Sequence, residues 1–290
     1  MAALSRSLGG LIGERLRVEL GPASVTLVRH AGFPGRRVLS TRSYEIEPGA
    51  RRSDHSAESW RASVDTLAVA LREQPASPGR VELVLSDHFV RYTLIPWSES
   101  LIADSERLAF ARLAFRDVFG HAADAWDVCV DEQPAGQASF AAAVDRALVA
   151  EVRDLVSLAG GGLGAVRPAL SECFNGHRRA FKEPEFCLAT AEAGRISLAF
   201  RSHVGWQAVR SRRIDGPLAE SLPTLLKQEA VAGAAPQGGL LYLCVADTVD
   251  APPFTVPGWR LVRLARAGGL TSPAAGATSG HEAIPSPQQR

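Results

Sequence analysis

The chain has 290 residues, 46% of them hydrophobic, and 32 basic against 31 acidic residues give a formal net charge of +1. That length supplies one large or two ordinary domains with ample core. The near-neutral balance excludes a global field drawing the protein to nucleic acid or to an anionic membrane, so binding of that kind needs a local patch. Cys129, Cys173, Cys187 and Cys244 form no CxxC pair, which signals neither a zinc site nor a disulfide framework, and they read as reduced core thiols.

Residues 1–13 carry a lone Arg6 among small apolar residues without the dense apolar centre of an export signal, and residues 1–15 read as a mobile leader. Three strand-like runs follow, Leu16–Leu20, Val25–His30 and Val38–Ile46, an antiparallel meander broken at Gly21-Pro22 and at Gly32–Gly35. The first turn has the outline of a phosphate-binding hairpin. Such a hairpin uses an Asp near a metal ion, and small hydroxyl residues with free N–H groups facing phosphate. Here Glu19 stands in the place of the Asp, and Pro22 removes a donor at the tip. Trp60, Val64, Leu67 and Leu71 form the stripe of a helix laid on the meander. Val81–Leu85 and Phe89–Ile95, divided by Ser86-Asp87-His88, read as strands extending the same sheet.

Leu108, Ala111, Phe115, Val118 and Phe119 mark a second buried helix stripe, opened by Asp104 and Glu106 and stopped at Gly120. Strands at Trp126–Val130 and Ala138–Val144 lead into a helix capped by Asp145 and burying Leu148, Val152 and Leu155, with Gly160–Gly162 as its stop. Leu163–Phe181 mixes a strand near Val166 with a helix before Arg178. The opening pattern then recurs as Phe186–Ala191, Ile196–Arg201 and Trp206–Ile214, followed by a helix through Leu222, Leu225 and Leu226 and strands at Leu240–Val245 and Trp259–Leu264. From Gly268 the sequence is rich in Ala, Gly, Ser, Pro and Gln, and a disordered tail is expected to residue 290. No apolar run reaches membrane-span length, the longest near it being Gly239–Ala246, so a cytoplasmic protein is expected.

A strand-strand-strand-helix-strand-helix order given twice predicts an α/β protein of two related mixed-sheet lobes with a cleft between them. The expected division is a leader (1–15), a first lobe (16–95), an inserted subdomain (96–165), a second lobe (166–267) and a tail (268–290).

Other candidate sites are weak. Asp124, Asp127, Asp131 and Glu132 cluster in sequence but read as a solvated strand edge. Arg201, Arg210, Arg212 and Arg213 around Trp206 form the densest basic and aromatic stretch, and edge-strand protection explains them better than nucleic acid does. His88, His121, His177 and His203 lack zinc-ligand spacing and read as solvated or turn histidines. Gly160–Gly164 follows a helix, so it reads as a helix stop rather than a phosphate loop. No catalytic residue and no metal ligand is assigned.

Val84-Leu-Ser-Asp-His-Phe-Val-Arg-Tyr-Thr-Leu-Ile-Pro96 resembles the strand pair ending in a Leu-Pro-type step of the actin-like ATPase superfamily, with its RNase H-like lobes. The helix over 106–119, Trp126–Val130 and Phe140–Leu148 resemble the inserted subdomain of two of its branches, PilM of type IV pilus assembly and the cytoplasmic domain of GspL of type II secretion. In that superfamily ATP is held by one phosphate hairpin in each lobe and a Gly-rich adenosine turn. The resemblance implies cofactor contacts at Glu19, Gly21 and Ser24 in a degenerate first hairpin, of which Gly21 and Ser24 match and Glu19 and Pro22 depart. The second hairpin, at Thr190–Gly194, lacks the Asp-x-Gly order, and no Gly-Gly pair follows Leu241–Asp247. ATP and Mg are therefore disfavoured as cofactors. The implied function is a cytoplasmic scaffold, open to self-association, that holds the tail of an inner-membrane pilus or secretion protein. The alternative is an active ATPase or a sugar-kinase-like phosphotransferase of the same fold.

Overall fold

Alternating polar and apolar residues in Arg-Leu-Arg-Val-Glu-Leu place Leu16, Val18 and Leu20 of β1 (Arg15–Leu20) on one buried face. In the computed structural model, which describes residues 14–31, 37–47, 59–75, 77–101, 103–233 and 235–265, this strand is the centre of the first lobe. Antiparallel to it runs β2 (Ser24–His30), which pairs in turn with β3 (Val38–Glu45). On its other side β4 (Arg80–Leu85) is parallel, and β8 (Gly162–Pro168) is parallel to β4, giving the order β3-β2-β1-β4-β8. Two helices cover the apolar face. Trp60, Val64, Leu67 and Leu71 at and along α1 (Arg61–Arg72) join Leu148, Val152 and Val156 of α3 (Arg146–Leu158) in one core. The indole N–H of Trp60 donates to Asp145 at 3.0 Å, and the same carboxylate caps α3 by accepting from the Ala147 N–H.

Between β4 and α3 the chain builds a smaller antiparallel sheet, in the order β5-β7-β6, from β5 (Val90–Ile95), β6 (Trp126–Val130) and β7 (Ser139–Asp145). The residues Phe89–Ile95 therefore do not extend the first sheet. Apolar spacing alone does not choose between sheets, and the turn at Ser86–Phe89 redirects the chain. The helix α2 (Asp104–Phe119) packs on this small sheet through Ala111 and Phe115, against Ile95, Ala141 and Ala143. Val118 and Phe119, expected in its buried stripe, are 71% and 38% exposed.

The second lobe repeats the first. Here β9 (Phe186–Glu192), β10 (Arg195–Ser202) and β11 (Gly205–Arg213) form the meander, and β12 (Gly239–Val245) and β13 (Trp259–Leu264) run parallel to β9, in the order β11-β10-β9-β12-β13. One face packs on α5 (Leu218–Val231). The opposite face meets α4 (Ala169–Gly176) together with Tyr92, Leu94 and Phe140 of the small sheet. Gly194 takes a positive φ of 78° at the tip of the β9–β10 hairpin, where a side chain would strain the turn. The predicted leader and tail lie outside the described residues, apart from Glu14 and Arg15, the second of which begins β1. No helix among the described residues is long and apolar enough to cross a membrane.

Candidate functional site at the lobe junction

Both hairpin turns come to the same place. Glu19, Gly21 and Ser24 from the first lobe and Glu192 and Ala193 from the second line one cleft, with Ser86, His88 and Ala246 beside them. The cleft has a volume of about 50 Å³, far below the roughly 300 Å³ at which small-molecule pockets begin. At its first wall the Gly21 N–H closes the turn onto the Ser24 carbonyl at 3.0 Å, and Pro22 has no N–H to offer. The Gly21 carbonyl accepts from the Ser63 hydroxyl of α1 at 2.9 Å. Glu19 accepts from Arg17 Nε at 2.9 Å, which draws its carboxylate onto the face of the sheet.

The turn Ser86-Asp87-His88, after β4, closes the junction. Glu192 of the second lobe accepts from the Ser86 hydroxyl at 2.7 Å and from the Asp87 N–H at 2.9 Å. A hydroxyl and a backbone N–H are the donor types a phosphate would use, and here they hold a carboxylate of the protein itself. His88 Nε2 lies 3.0 Å from the Ala193 carbonyl, which can only accept, so that nitrogen carries the proton. Asp87 is 1% exposed. Its carboxylate accepts from the Thr190 hydroxyl of β9 at 2.7 Å, the Leu170 N–H of α4 at 3.2 Å and the Tyr92 hydroxyl of β5. One buried carboxylate thus joins a strand of the second lobe, α4 and the small sheet. Burial, reinforced by the Asp87 charge, raises the Tyr92 phenol well above its ordinary value.

Behind the cleft a row of charges crosses the first sheet. Arg17 donates to Glu172 of α4 at 2.5 Å and to Glu19, while Glu82 takes Arg15 at 3.1 Å and Arg167 at 3.4 Å. Desolvation works against the charge of Arg17, but the carboxylates of Glu19 and Glu172 outweigh it and raise its pKa. Among the described residues no group of three or more His, Cys, Asp or Glu side chains could hold a metal ion.

The remaining candidates do not converge on this cleft. Asp127 pairs with Arg146, Asp124 lies near Arg116 and His121, and Asp131 accepts from Gln133. Trp206 is buried among Phe140, Phe174 and Phe186, so it is no platform for a base. His121 and His203 are solvated and paired with Asp124 and Glu185. His88, by contrast, is a turn histidine that the second lobe buries. Gly160, at φ 78°, ends α3 as expected. Cys129 is exposed while the other three cysteines are buried, and the hydrogen bond that the Cys173 thiol makes to Cys244, with burial, raises its pKa. The sequence marked Ser86-Asp87-His88 only as a divider between strands. A buried-strand run broken by an Asp, with a polar Thr190 inside another apolar run, is the signal that could have found the clasp.

A second feature is a groove of about 410 Å³ between β6, β8 and α4. Val128, Phe140, Val166, Leu170 and Phe174 make its apolar lining, and Asp127 and Asp131 balance Arg167 and Arg178 at its rim. All five residues Asp127–Asp131 line it, and β6 is an edge strand of its sheet.

No protein-family model matches the sequence, and no curated protein matches it. Solved structures do. The cytoplasmic domain of EpsL, an inner-membrane component of the type II secretion system of Vibrio cholerae, aligns with a TM-score of 0.53 at 13% identity over 87% of this chain and 90% of that one. A PilM–PilN type IV pilus biogenesis complex aligns with a TM-score of 0.58 at 16% identity, over 80% and 81% of the two chains. A Bacteroides thetaiotaomicron protein with an actin-like ATPase fold and unknown function aligns with a TM-score of 0.56 at 12% identity, over 82% and 83%. The fold is that of the actin-like ATPases, in a form similar to PilM and to the EpsL cytoplasmic domain.

Proposed function

We propose that this actin-like chain is a cytoplasmic scaffold of a type IV pilus or type II secretion assembly platform, holding a segment of an inner-membrane partner and working without nucleotide. The observation that carries this reading is the lobe junction. Where two phosphate hairpins would face a ligand, Glu192 sits on the Ser86 hydroxyl and the Asp87 N–H, and about 50 Å³ is left. A junction closed by its own carboxylate holds the lobes together without a nucleotide. The partner's segment is assigned to the groove of about 410 Å³, whose apolar lining and edge strand β6 suit an extended peptide that adds backbone hydrogen bonds to the edge. Similarity to a PilM–PilN complex and to the EpsL cytoplasmic domain supports a partner of that class.

Two calorimetric titrations test this. Mg-ATP at millimolar concentration is expected to give no heat and no shift in melting temperature, and a synthetic peptide copying the cytoplasmic tail of an inner-membrane pilus or secretion component is expected to bind. A Mg-ATP stabilisation that disappears in Gly21→Trp would overturn the nucleotide-free reading, because a ligand of the folded state stabilises it by mass action. Phosphate release or transfer would then have to be measured for the alternative, an active ATPase or sugar-kinase-like phosphotransferase. Loss of peptide binding in Val128→Asp, with melting unchanged, would place the tail on β6.

A further inference from the structure

A second, larger groove of about 1000 Å³ lies on the other side of the small sheet, between α2, β5 and the edge strand β11. Its lining charges are unbalanced. Arg91, Arg195, Arg210 and Arg212 line it against a single carboxylate, Asp145, whereas the groove beside β6 carries two of each sign. Asp145 is also engaged as the cap of α3 and the acceptor of Trp60. Arg210 and Arg212 share one carboxylate, Glu229, at 3.1 and 3.0 Å, and their side chains remain 40% and 51% exposed. In a protein of net charge +1 this is a local excess of positive charge. The facing wall is apolar, formed by the exposed Val118 and Phe119 of α2 and by Trp126.

We propose that this groove binds an acidic segment of a partner protein that carries apolar residues between its carboxylates, lying extended between the arginines of β11 and the Val118–Phe119 wall. Arg210 and Arg212 stand two residues apart on a strand, about 6.7 Å, which is the spacing of carboxylates at alternate positions of an extended chain. Each guanidinium has donors beyond those it gives to Glu229 and can take a second carboxylate. Alternation also puts the intervening residues on the opposite side, toward the apolar wall. Single-stranded nucleic acid fits less well. The rings of Phe119 and Trp126 meet edge to face at 5.2 Å and Phe119 also packs on Phe115, so both rings are engaged in an aromatic cluster instead of standing as a row of separate platforms for successive bases. The site is separate from the β6 groove, and its test stands whether or not a tail binds there.

The probe is a fluorescein-labelled octapeptide alternating glutamate with leucine or phenylalanine, titrated with the full chain by fluorescence anisotropy. Saturable binding is expected, weakening as salt rises. It should fall at least about tenfold in Val118→Glu, which sets a like charge in the groove, and in Arg212→Ser, while Arg212→Lys retains most of it. Val118 is solvent-exposed, so its variant should melt as the wild type does and keeps the test independent of folding. The proposal is overturned if the octapeptide does not saturate, if both variants bind it unchanged, or if a lysine-for-glutamate octapeptide binds as well. It is equally overturned if a thymidine oligonucleotide of equal charge binds as tightly.

Discussion

The two five-stranded sheets share one strand order and one set of strand directions, but they are solvated differently. The first is apolar on the face under α1 and α3, and its other face carries the row Arg15, Glu82, Arg167, Glu172, Arg17 and Glu19. The second is apolar on both faces, one under α5 and one against α4 and the small sheet. Sequence follows this. The strand β1 alternates, whereas β9 and β10 are nearly continuous buried runs. Their crossovers differ too. Between β4 and β8 stand the small sheet and α3, but residues 246–258, between β12 and β13, contain no helix, and Val249, Ala251, Phe254 and Val256 of that loop complete the core instead. Topology was duplicated, then, and what was laid against each sheet decided which residues it needs.

The contrast between sheets can be broken most severely at Phe200, which is buried in the second sheet's core. Phe200→Ala is expected to cost about 3–5 kcal/mol, read from the urea midpoint. Next comes the clasp. Asp87→Ala strands the Thr190 and Tyr92 hydroxyls and the Leu170 N–H, and about 3 kcal/mol is expected. Amide exchange at Leu170 should quicken in that variant more than exchange in β2, and equal changes in both would mean that the clasp does not hold α4. Glu172→Gln removes one of the two carboxylates on the buried Arg17 and should cost about 2 kcal/mol, the remaining Glu19 limiting the loss.

Alkaline pH probes the double burial of the second sheet. Burial raises the Cys187 thiol and the Tyr92 phenol well above their ordinary values near 9 and 10. The unfolded chain therefore ionises first. Stability is full below about pH 9 and is lost as pH rises, by about 1.4 kcal/mol per pH unit for each group that the fold holds protonated. Cys187→Ala should flatten the profile between pH 9 and 10, and absorbance at 295 nm should show Tyr92 ionising only with unfolding. The smallest effect belongs to the exposed β2–β3 pair at the edge of the first sheet. Thr26→Ala, which loses an exposed hydrogen bond to Ser43, is expected to stay within about 0.5 kcal/mol in thermal melts.

The meanders, Asp145 as a cap and the helix stop at Gly160 were legible because each depends on neighbours a few residues away. The repeat predicted two lobes with a cleft, and it was the resemblance to the actin-like ATPases that implied a meeting of the two hairpin turns there. The destination of β5 was not legible, since Val90–Ile95 satisfies the small sheet's period as well as the large one's. The exposure of Val118 and Phe119 was missed for a related reason. An apolar stripe shows which face of a helix is greasy, and says nothing of whether a neighbour reaches its far end. Asp87 was illegible in a stronger sense, because its acceptor role is defined by Leu170 and Thr190, 83 and 103 residues further on.

That distance also orders the events of synthesis. The first sheet lacks its β8 edge strand until Pro168 is made, and Asp87, with Tyr92 only five residues away, gains its other two donors when Leu170 and then Thr190 have left the ribosome. Before then the side chain of Asp87 lacks two of the three donors that accompany its burial. The clasp is thus a contact that the chain can finish only after the opening strand of the second lobe is made, since that strand holds its last donor, Thr190.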